Sequence, residues 1–382
     1  MPGTDGGSFN LGSDVLVLDF MFHKQLHQRS IKSQRGSQMN RRNFLGGIGA
    51  GISCTAASGQ TKATALIKPR RLKPGATIGL ITPATPTTDP DTLAKADRAL
   101  KFFGFKVKVG KNVGRRAGYF GSSPEERLDD LHAMFRDTEV DAVFAMRGGY
   151  GSQHLLDRID YDLIRRNPKI LLGYSDITAL HLAINKHAGL VTFHGPNMLS
   201  DFTEYSQQHF RRAMFEAKPL GVLSNPPDSN QIRPIHPTRT IRSGNATAPI
   251  IGGNLTLIST LMGTPYEVDC RGKILLLEDI GEEPYRMDRM LTQLRLAGKF
   301  KDAVGIVVGE CVDCKPSEFK PSLGSNFSLG EVLDAMLKPL TVPVFYGLTF
   351  GHTDDQLTLP LGVLATMDAD KGTLEIKEAG SV

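Results

Sequence analysis

Several features that would mark particular classes of protein are scarce in this sequence. Its 382 residues include no tryptophan and only four cysteines. Cys311 and Cys314 form one C-x-x-C pair, which supplies at most half of a tetrahedral zinc site, and no second cysteine or histidine cluster follows nearby. We therefore expect no metal site. The two thiols are interpreted as half-buried residues, or as a local disulfide if the compartment is oxidising.

Net charge and long apolar runs are also scarce in the body of the chain. Residues 1–71 hold ten Lys/Arg and three Asp/Glu, whereas the remainder holds 35 and 37, so the net charge of +5 comes from the N-terminal segment. The body has no basic stripe, which argues against a nucleic-acid partner. No apolar run is long enough to cross a bilayer as a helix, so no membrane partner is expected for the mature protein.

The N-terminal segment has the pattern of an export signal. Residues 39–66 contain an Arg-Arg pair, then Asn43-Phe44-Leu45, a weakly hydrophobic Gly/Ala run, and small residues at Ala63 and Ala65. This resembles a twin-arginine signal with an A-x-A-like cleavage site, and it predicts a periplasmic or otherwise exported protein. A chance arginine pair and a cytoplasmic location are the alternative. Residues 1–38 precede Met39 as an extension without an assigned role.

The body alternates apolar runs with helical patterns, which predicts two domains joined by a linker. Residues 70–217 form the predicted N-terminal α/β domain, 218–247 a Pro/Ser/Asn/Thr-rich linker, and 248–382 a smaller, β-rich C-terminal domain. Strands separated by helices favour a parallel sheet with helices on both faces, whose functional loops lie at the carboxyl ends of the strands. The strands expected in the first domain are Thr77–Thr82, Phe105–Val109, Val140–Met146, Ile170–Gly173 and Val191–His194.

The second domain is expected to mix helices and strands. The predicted helices are Gly253–Leu261, Pro284–Leu296 and Leu329–Leu337. The predicted strands are Lys273–Leu277, Val304–Val308, Val342–Tyr346, Leu357–Met367 and Thr373–Ile376.

Ser175 stands directly after an apolar strand pattern and at the start of a helical one. A sharp strand-to-helix turn would expose its hydroxyl, and the free N–H groups of the helix start would stabilise a negative oxygen. The segment departs from the G-x-S-x-G nucleophile elbow because Ile177 replaces the second glycine. The alternative is that Ser175 or Asp176 simply caps the next helix.

Two residues in the second half could supply a base and its partner. Glu278 ends the apolar run Leu275-Leu276-Leu277, where a carboxylate is costly unless it is paired. His352 lies in a loop between two strand patterns, where it can reach a cleft. Taken singly, Glu278 also fits a helix-capping acid and His352 a surface histidine.

Nine sequence blocks occur together, in one order, over about residues 72–370. They are KPGATIG (73–79), GYFG (118–121), AMRGGYG (145–151), GYSDIT (173–178), TFHGP (192–196), GGNL (252–255), LED (277–279), RMDRML (286–291) and FGH (350–352). Jointly they resemble the serine LD-carboxypeptidase family, which includes the microcin immunity peptidases.

The resemblance implies a function and a site. Ser175 matches the nucleophile, Glu278 the acid and His352 the base, with a cleft between a parallel-sheet domain and a smaller β-rich domain. It implies hydrolysis of the L,D-peptide bond that releases the terminal D-alanine of murein tetrapeptides, through an acyl-enzyme. No cofactor is required, and the family suggests a homodimer.

Further roles are hypotheses about the neighbours of Ser175. We expect the backbone N–H of Asp176, with that of Gly148 or Gly149, to form an oxyanion hole. Arg147 is the candidate for binding the terminal carboxylate, because a guanidinium fork suits that group; a structural ion pair is the alternative.

Two other functions are weighed against this one. The first is a self-immunity peptidase that cleaves a peptidyl-nucleotide, a branch that uses aromatic contacts to the nucleotide. The export signal and the lack of tryptophan argue against it. The second is a non-catalytic exported peptide-binding protein, which an intact Ser175–Glu278–His352 set disfavours.

Overall fold

The computed structural model describes residues 66–228, 230, 232–324 and 327–382, which build two β-sheets and their helices. The strands are β1 (Thr77–Ile81), β2 (Lys106–Val109), β3 (Ala142–Ala145), β4 (Ile170–Gly173), β5 (Thr192–His194), β6 (Gly221–Leu223), β7 (Arg239–Arg242), β8 (Asn245–Asn254), β9 (Ile274–Ile280), β10 (Gly305–Val312), β11 (Val344–Leu348), β12 (Leu359–Leu361), β13 (Leu364–Asp368) and β14 (Thr373–Ile376). The helices are α1 (Pro90–Phe102), α2 (Pro124–Arg136), α3 (Tyr161–Arg166), α4 (Thr178–His187), α5 (Glu204–Phe215), α6 (Leu255–Thr260), α7 (Pro284–Leu296), α8 (Lys299–Asp302) and α9 (Leu329–Leu337).

The first sheet has the strand order β12-β5-β4-β3-β1-β2. Its five N-terminal strands run parallel, and β12 joins the edge antiparallel to β5. Strands β3 and β4 are buried along their whole length, as expected for a sheet covered on both faces. The strand order reverses between β1 and β3, and in open α/β sheets functional loops lie at the carboxyl ends of the strands near such a point.

The second sheet has the order β6-β14-β13-β8-β9-β10-β11-β7. Its four central strands, β8 to β11, run parallel, and the outer strands are antiparallel to their neighbours. The buried apolar side chains of both sheets form one continuous core. The α/β fold class predicted from the sequence is therefore confirmed, with a parallel sheet in the N-terminal half.

Local sequence signals explain where the helices begin. Helix α2 starts with a capping box, in which the Ser123 hydroxyl accepts the Glu126 N–H and the Glu126 side chain accepts the Ser123 N–H. Asp89 caps α1 and is followed by proline at the first helical residue. Helix α2 matters for the site because one of its buried residues, Arg127, reaches the loop beside the candidate nucleophile.

Some element predictions differ from the structure for identifiable reasons. The single strand predicted over Leu357–Met367 is two strands, because Gly362 at φ +98° breaks the run and lets β12 cross to the first sheet. The helix predicted from Gly253 starts at Leu255, since Gly252 and Gly253 still belong to β8. The segment 218–247 contributes β6, β7 and the start of β8 to the second sheet.

Several predictions remain untested by the structure. The export signal over residues 39–66 falls almost entirely outside the described residues, and the domain boundaries and the homodimer stay predictions. Among the helices of the described ranges, none is both long enough and apolar enough to cross a membrane.

Candidate active site

Ser175 lies in a strained turn between a strand and a helix. Strand β4 ends at Gly173, a single 3-10 turn covers Ser175–Ile177, and α4 begins at Thr178. The φ angle of Ser175 is +63°, a left-handed conformation that L-residues adopt at a cost. The turn directs the hydroxyl away from the buried strand and leaves the next backbone N–H groups at a helix start.

Two glycines leave the space that the turn at Ser175 requires. A Cβ on Gly148 would lie 2.9 Å from the Cβ of Ser175 and 3.2 Å from the backbone nitrogen of Asp176, so the loop after β3 can approach the nucleophile only as glycine. A Cβ on Gly173 would lie 2.9 Å from the side chain of Ile177. Ile177, which stands where G-x-S-x-G has its second glycine, therefore packs over Gly173.

The structure brings the three predicted side chains into one hydrogen-bonded line. His352 Nε2 lies 3.0 Å from Ser175 Oγ, and His352 Nδ1 lies 2.8 Å from Glu278 Oε2. The Glu278 side chain is fully buried and that of His352 is 12% exposed. A hydroxyl, an imidazole and a carboxylate in this order can carry out nucleophilic acyl transfer.

Gly351 allows the His352 loop to close on Glu278. It has φ +97°, and a Cβ there would lie 2.2 Å from Glu278 Oε2. The loop follows β11, and Glu278 lies in β9, so both side chains come from the carboxyl edge of the parallel strands of the second sheet. Ser175 comes from the corresponding edge of the first sheet.

The electrostatic surroundings of His352 favour its charged form. Burial is the largest single influence and lowers its pKa, but the hydrogen bond and charge of Glu278, with the charge of Asp279, outweigh it. The pKa of His352 is consequently raised above the ordinary value. The ring of Tyr174 packs edge-on against the imidazole, with centroids 4.9 Å apart, and helps to fix its plane.

Sequence reasoning missed a buried connection between the two halves of the site. The Asp279 carboxylate accepts hydrogen bonds from Asn254 Nδ2 (3.1 Å) and from the Thr256 N–H and hydroxyl (both 2.9 Å). The Asn254 N–H in turn donates to Thr178 Oγ1 at the start of α4, at 3.0 Å. This path connects strand β9, which carries Glu278, to helix α4, which begins three residues after Ser175. Burial and the nearby charge of Glu278 raise the pKa of Asp279.

A pocket of about 370 Å³ opens over Ser175 and His352. The predicted residues Arg147, Gly148 and Gly149 line it, together with Tyr174, Asn197, Leu199 and Ser200, which the sequence did not indicate. Gly148 is the glycine that lies against Ser175, whereas Gly149 packs against Thr85. Asp176 is buried, and its carboxylate points to the glycine loop rather than into the pocket.

Arg147 is exposed and lacks a carboxylate within ion-pair distance among the described residues. The structural ion pair considered from the sequence is thus not formed within that part of the chain. No group of three or more His, Cys, Asp or Glu side chains is arranged to hold a metal ion in the described ranges.

Comparison with known proteins places this geometry in context. Two family models match the chain, the LD-carboxypeptidase N-terminal domain over residues 78–195 and the LD-carboxypeptidase C-terminal domain over residues 247–367. The first match contains Ser175, and the second contains Glu278 and His352.

Relatives and solved structures agree with the family models. A "Probable murein peptide carboxypeptidase" from Bacillus subtilis is 40% identical over 313 residues, covering 82% of this chain and 95% of that protein. The crystal structure of an MccF-like protein from Bacillus anthracis has a TM-score of 0.72 at 31% identity, covering 82% of this chain and 99% of that one. The muramoyltetrapeptide carboxypeptidase from Oxalobacter formigenes has a TM-score of 0.66 at 31% identity, covering 79% and 99%.

We predict that Glu278→Gln lowers the pKa of His352. Replacing the carboxylate by a neutral amide removes the charge of Glu278 and weakens its hydrogen bond to the imidazolium. The lowering by burial is then opposed only by the smaller effect of Asp279, so the imidazole loses its proton at lower pH than in the wild type. NMR titration of the His352 ring measures the shift. Asp279→Asn should produce a smaller change of the same sign, and an unchanged His352 titration in Glu278→Gln would contradict the assignment of cause.

Proposed function

Because the chain belongs to the LD-carboxypeptidase family and is a serine peptidase, we propose that it releases the terminal D-alanine from murein tetrapeptides. The observation that carries the proposal is the hydrogen-bonded line Ser175–His352–Glu278, whose first two residues line a pocket together with Arg147. The proposal assigns each of these side chains a step.

His352 Nε2 accepts the proton of Ser175 as Oγ attacks the carbonyl carbon of the L,D-peptide bond. Glu278 holds the imidazole through Nδ1 and stabilises its positive charge. The backbone N–H groups of Asp176 and Gly148 stabilise the oxyanion, and loss of one such donor typically costs about 3 kcal/mol of transition-state stabilisation. His352 then protonates the departing amine of D-alanine, and water, deprotonated by His352, hydrolyses the acyl-enzyme.

Arg147 binds the free carboxylate of the substrate in this proposal. A carboxypeptidase must distinguish a chain end from an internal bond, and a guanidinium recognises a carboxylate through two parallel hydrogen bonds. Arg147 lines the same pocket as Ser175 and has no competing carboxylate among the described side chains. Its charge is therefore available to a ligand.

We also propose that the protein acts outside the cytoplasm. The proposal is based on the arginine pair Arg41-Arg42 and the small residues before Leu66. Export suits an enzyme whose substrate derives from the cell wall.

The nucleophile assignment predicts that Ser175→Ala abolishes D-alanine release from murein tetrapeptide, as measured by mass spectrometry. Its free energy of unfolding should stay within about 1.5 kcal/mol of the wild type, since the change removes one hydrogen bond. Ser224→Ala is the matched control, because Ser224 is exposed and its hydroxyl has no hydrogen bond among the described residues.

Two results would overturn parts of this assignment. Continued turnover by Ser175→Ala would exclude Ser175 as the nucleophile. Cleavage of a peptidyl-nucleotide, but not of the tetrapeptide, by the wild type would replace the proposed substrate with that of the immunity-type activity.

Arg147→Met should raise KM for the tetrapeptide by about tenfold or more, because a charge-assisted hydrogen bond is worth roughly 1.5–3 kcal/mol. The same tetrapeptide with an amidated C-terminus provides the control. Wild type and variant should hydrolyse the amide equally poorly, since neither makes the ionic contact. A KM effect of equal size on both peptides would show that Arg147 acts by shaping the pocket and not by binding the carboxylate.

An Arg41/Arg42→Lys pair should retain the protein in the cytoplasm, because the twin-arginine route requires both guanidinium groups. Cell fractionation and the N-terminal sequence of the exported form measure the outcome. Unchanged export of the double variant would count against the twin-arginine proposal without touching the catalytic one.

A further inference from the structure

A buried arginine lies behind the glycine loop, here defined as residues 147–151. Arg127 on α2 is only 2% exposed. Its Nη1 donates to the carbonyl oxygens of Pro83 (2.7 Å) and Gly151 (2.8 Å), and its guanidinium lies 4.8 Å from the Phe120 ring centroid. No carboxylate within the described residues forms an ion pair with it. Burying a guanidinium without an ion-pair partner is costly, and its hydrogen bonds to the two carbonyl groups offset part of that cost.

A buried carboxylate holds the other side of the same loop. Asp176, next to Ser175, is 1% exposed. Its Oδ1 accepts the N–H of Gly151 at 3.3 Å, and its Oδ2 accepts the N–H of Ser152 at 2.8 Å. Ser152 Oγ donates back to the carbonyl oxygen of Asp176 at 2.6 Å. The residue that follows the nucleophile is thereby joined to the end of the glycine loop by three hydrogen bonds.

Gly151 is thus held from both sides, through its N–H by Asp176 and through its C=O by Arg127. Its φ is +126°, and a Cβ there would lie 2.6 Å from Phe120 and 3.0 Å from Arg127 Nη1. Burial lowers the pKa of Arg127, and the charge of Asp176 opposes that effect, so the two charges attract across the loop. We call Arg127, Gly151 and Asp176 the loop clamp.

We propose that Arg127 and the Asp176 side chain are positioning residues, which hold the glycine loop at the distance from Ser175 that the oxyanion hole requires. The inference rests on the proposed function, because it concerns the same acyl-transfer site. Gly148, at the other end of the loop, lies against Ser175 and Asp176. The two clamp side chains therefore hold both backbone segments that supply the oxyanion donors, and neither the Arg127 guanidinium nor the Asp176 carboxylate lines the pocket.

This arrangement has a kinetic signature. Oxyanion donors act on the transition state more than on the bound substrate, so loosening the loop at Gly151 lowers kcat by a larger factor than it changes KM. A displacement of about 1 Å at a reacting centre can cost about a hundredfold in rate. Burial, Glu278 and Asp279 set the pKa of His352, so the clamp variants are expected to leave the protonation of the base unchanged.

The test compares Asp176→Asn, Arg127→Met and Arg127→Lys with Arg158→Met. Arg158 is the matched control, because it is an arginine that forms a surface ion pair with Glu125, a residue of the helix α2 that also carries Arg127. Two rates are measured: tetrapeptide turnover, and covalent labelling of Ser175 by a fluorophosphonate. In the labelling reaction Ser175 Oγ bonds to phosphorus, fluoride leaves and His352 takes the proton, so it needs the nucleophile and oxyanion donors but no particular peptide.

We expect Asp176→Asn and Arg127→Met to lower kcat and the labelling rate in parallel, by about tenfold or more, with KM within about threefold and the His352 titration unchanged. Arg127→Lys keeps the charge and can still reach one carbonyl group, so its rates should lie between those of Arg127→Met and the wild type. It also replaces Arg127→Met in the test if that variant is too unstable to assay. Arg158→Met should behave as the wild type.

The outcomes separate the clamp from the proposed function. The inference would be overturned if Asp176→Asn and Arg127→Met were folded and had the labelling rate and kcat of the wild type. It would also be overturned if their rate losses equalled the fraction of unfolded protein measured by circular dichroism. A wild-type protein that is labelled at Ser175 but leaves the tetrapeptide intact would overturn the proposed substrate. The labelling rates of the clamp variants would still decide the inference in that case.

Discussion

The burial of the Glu278 carboxylate is the constraint on which the site depends. A charge placed at the end of an apolar strand is tolerated only when a partner compensates for the lost hydration. His352 provides that partner at 2.8 Å, and it can approach so closely because the preceding residue is glycine. The same contact fixes which imidazole nitrogen faces Ser175. The cost of burying the acid is thus offset by an interaction that also orients the base.

Ser175 imposes a second constraint, on the backbone. Ser175 has a left-handed φ, which the chain adopts only where its surroundings enforce it. Ile177 packing over Gly173 and the Gly148 backbone packing against Ser175 provide that enforcement. The site therefore combines a rigid turn from the first sheet with an acid–base pair from the second. The relative placement of the three side chains depends on contacts between the two halves of the chain. These are the pairing of β12 with β5 within the first sheet and the Thr178–Asn254 hydrogen bond.

Much of this could be predicted from the sequence, because the decisive signals are local. The apolar run before Ser175 defines a strand end, and the run before Glu278 defines the strand that carries it, although β9 continues to Ile280. The carboxyl ends of parallel strands are where functional side chains collect. The pairing of a serine with a histidine 177 residues away is not local, and only the family resemblance supplied it. Periodicity likewise could not show that Gly362 redirects β12 into the first sheet, since that depends on tertiary pairing.

Arg127 illustrates why other parts of the site escaped prediction. In the sequence it lies on a charged, amphipathic helix, where an arginine is ordinarily a solvated surface residue. Its burial follows from the curvature of the loops after β1 and β3, which bring the carbonyl groups of Pro83 and Gly151 to one point. Those carbonyl groups lack strand partners, and a guanidinium offers enough donors to satisfy both. A buried charge among backbone carbonyls therefore marks a place where the fold holds a loop in a conformation that the loop would not adopt alone, and here that loop is the one beside the nucleophile.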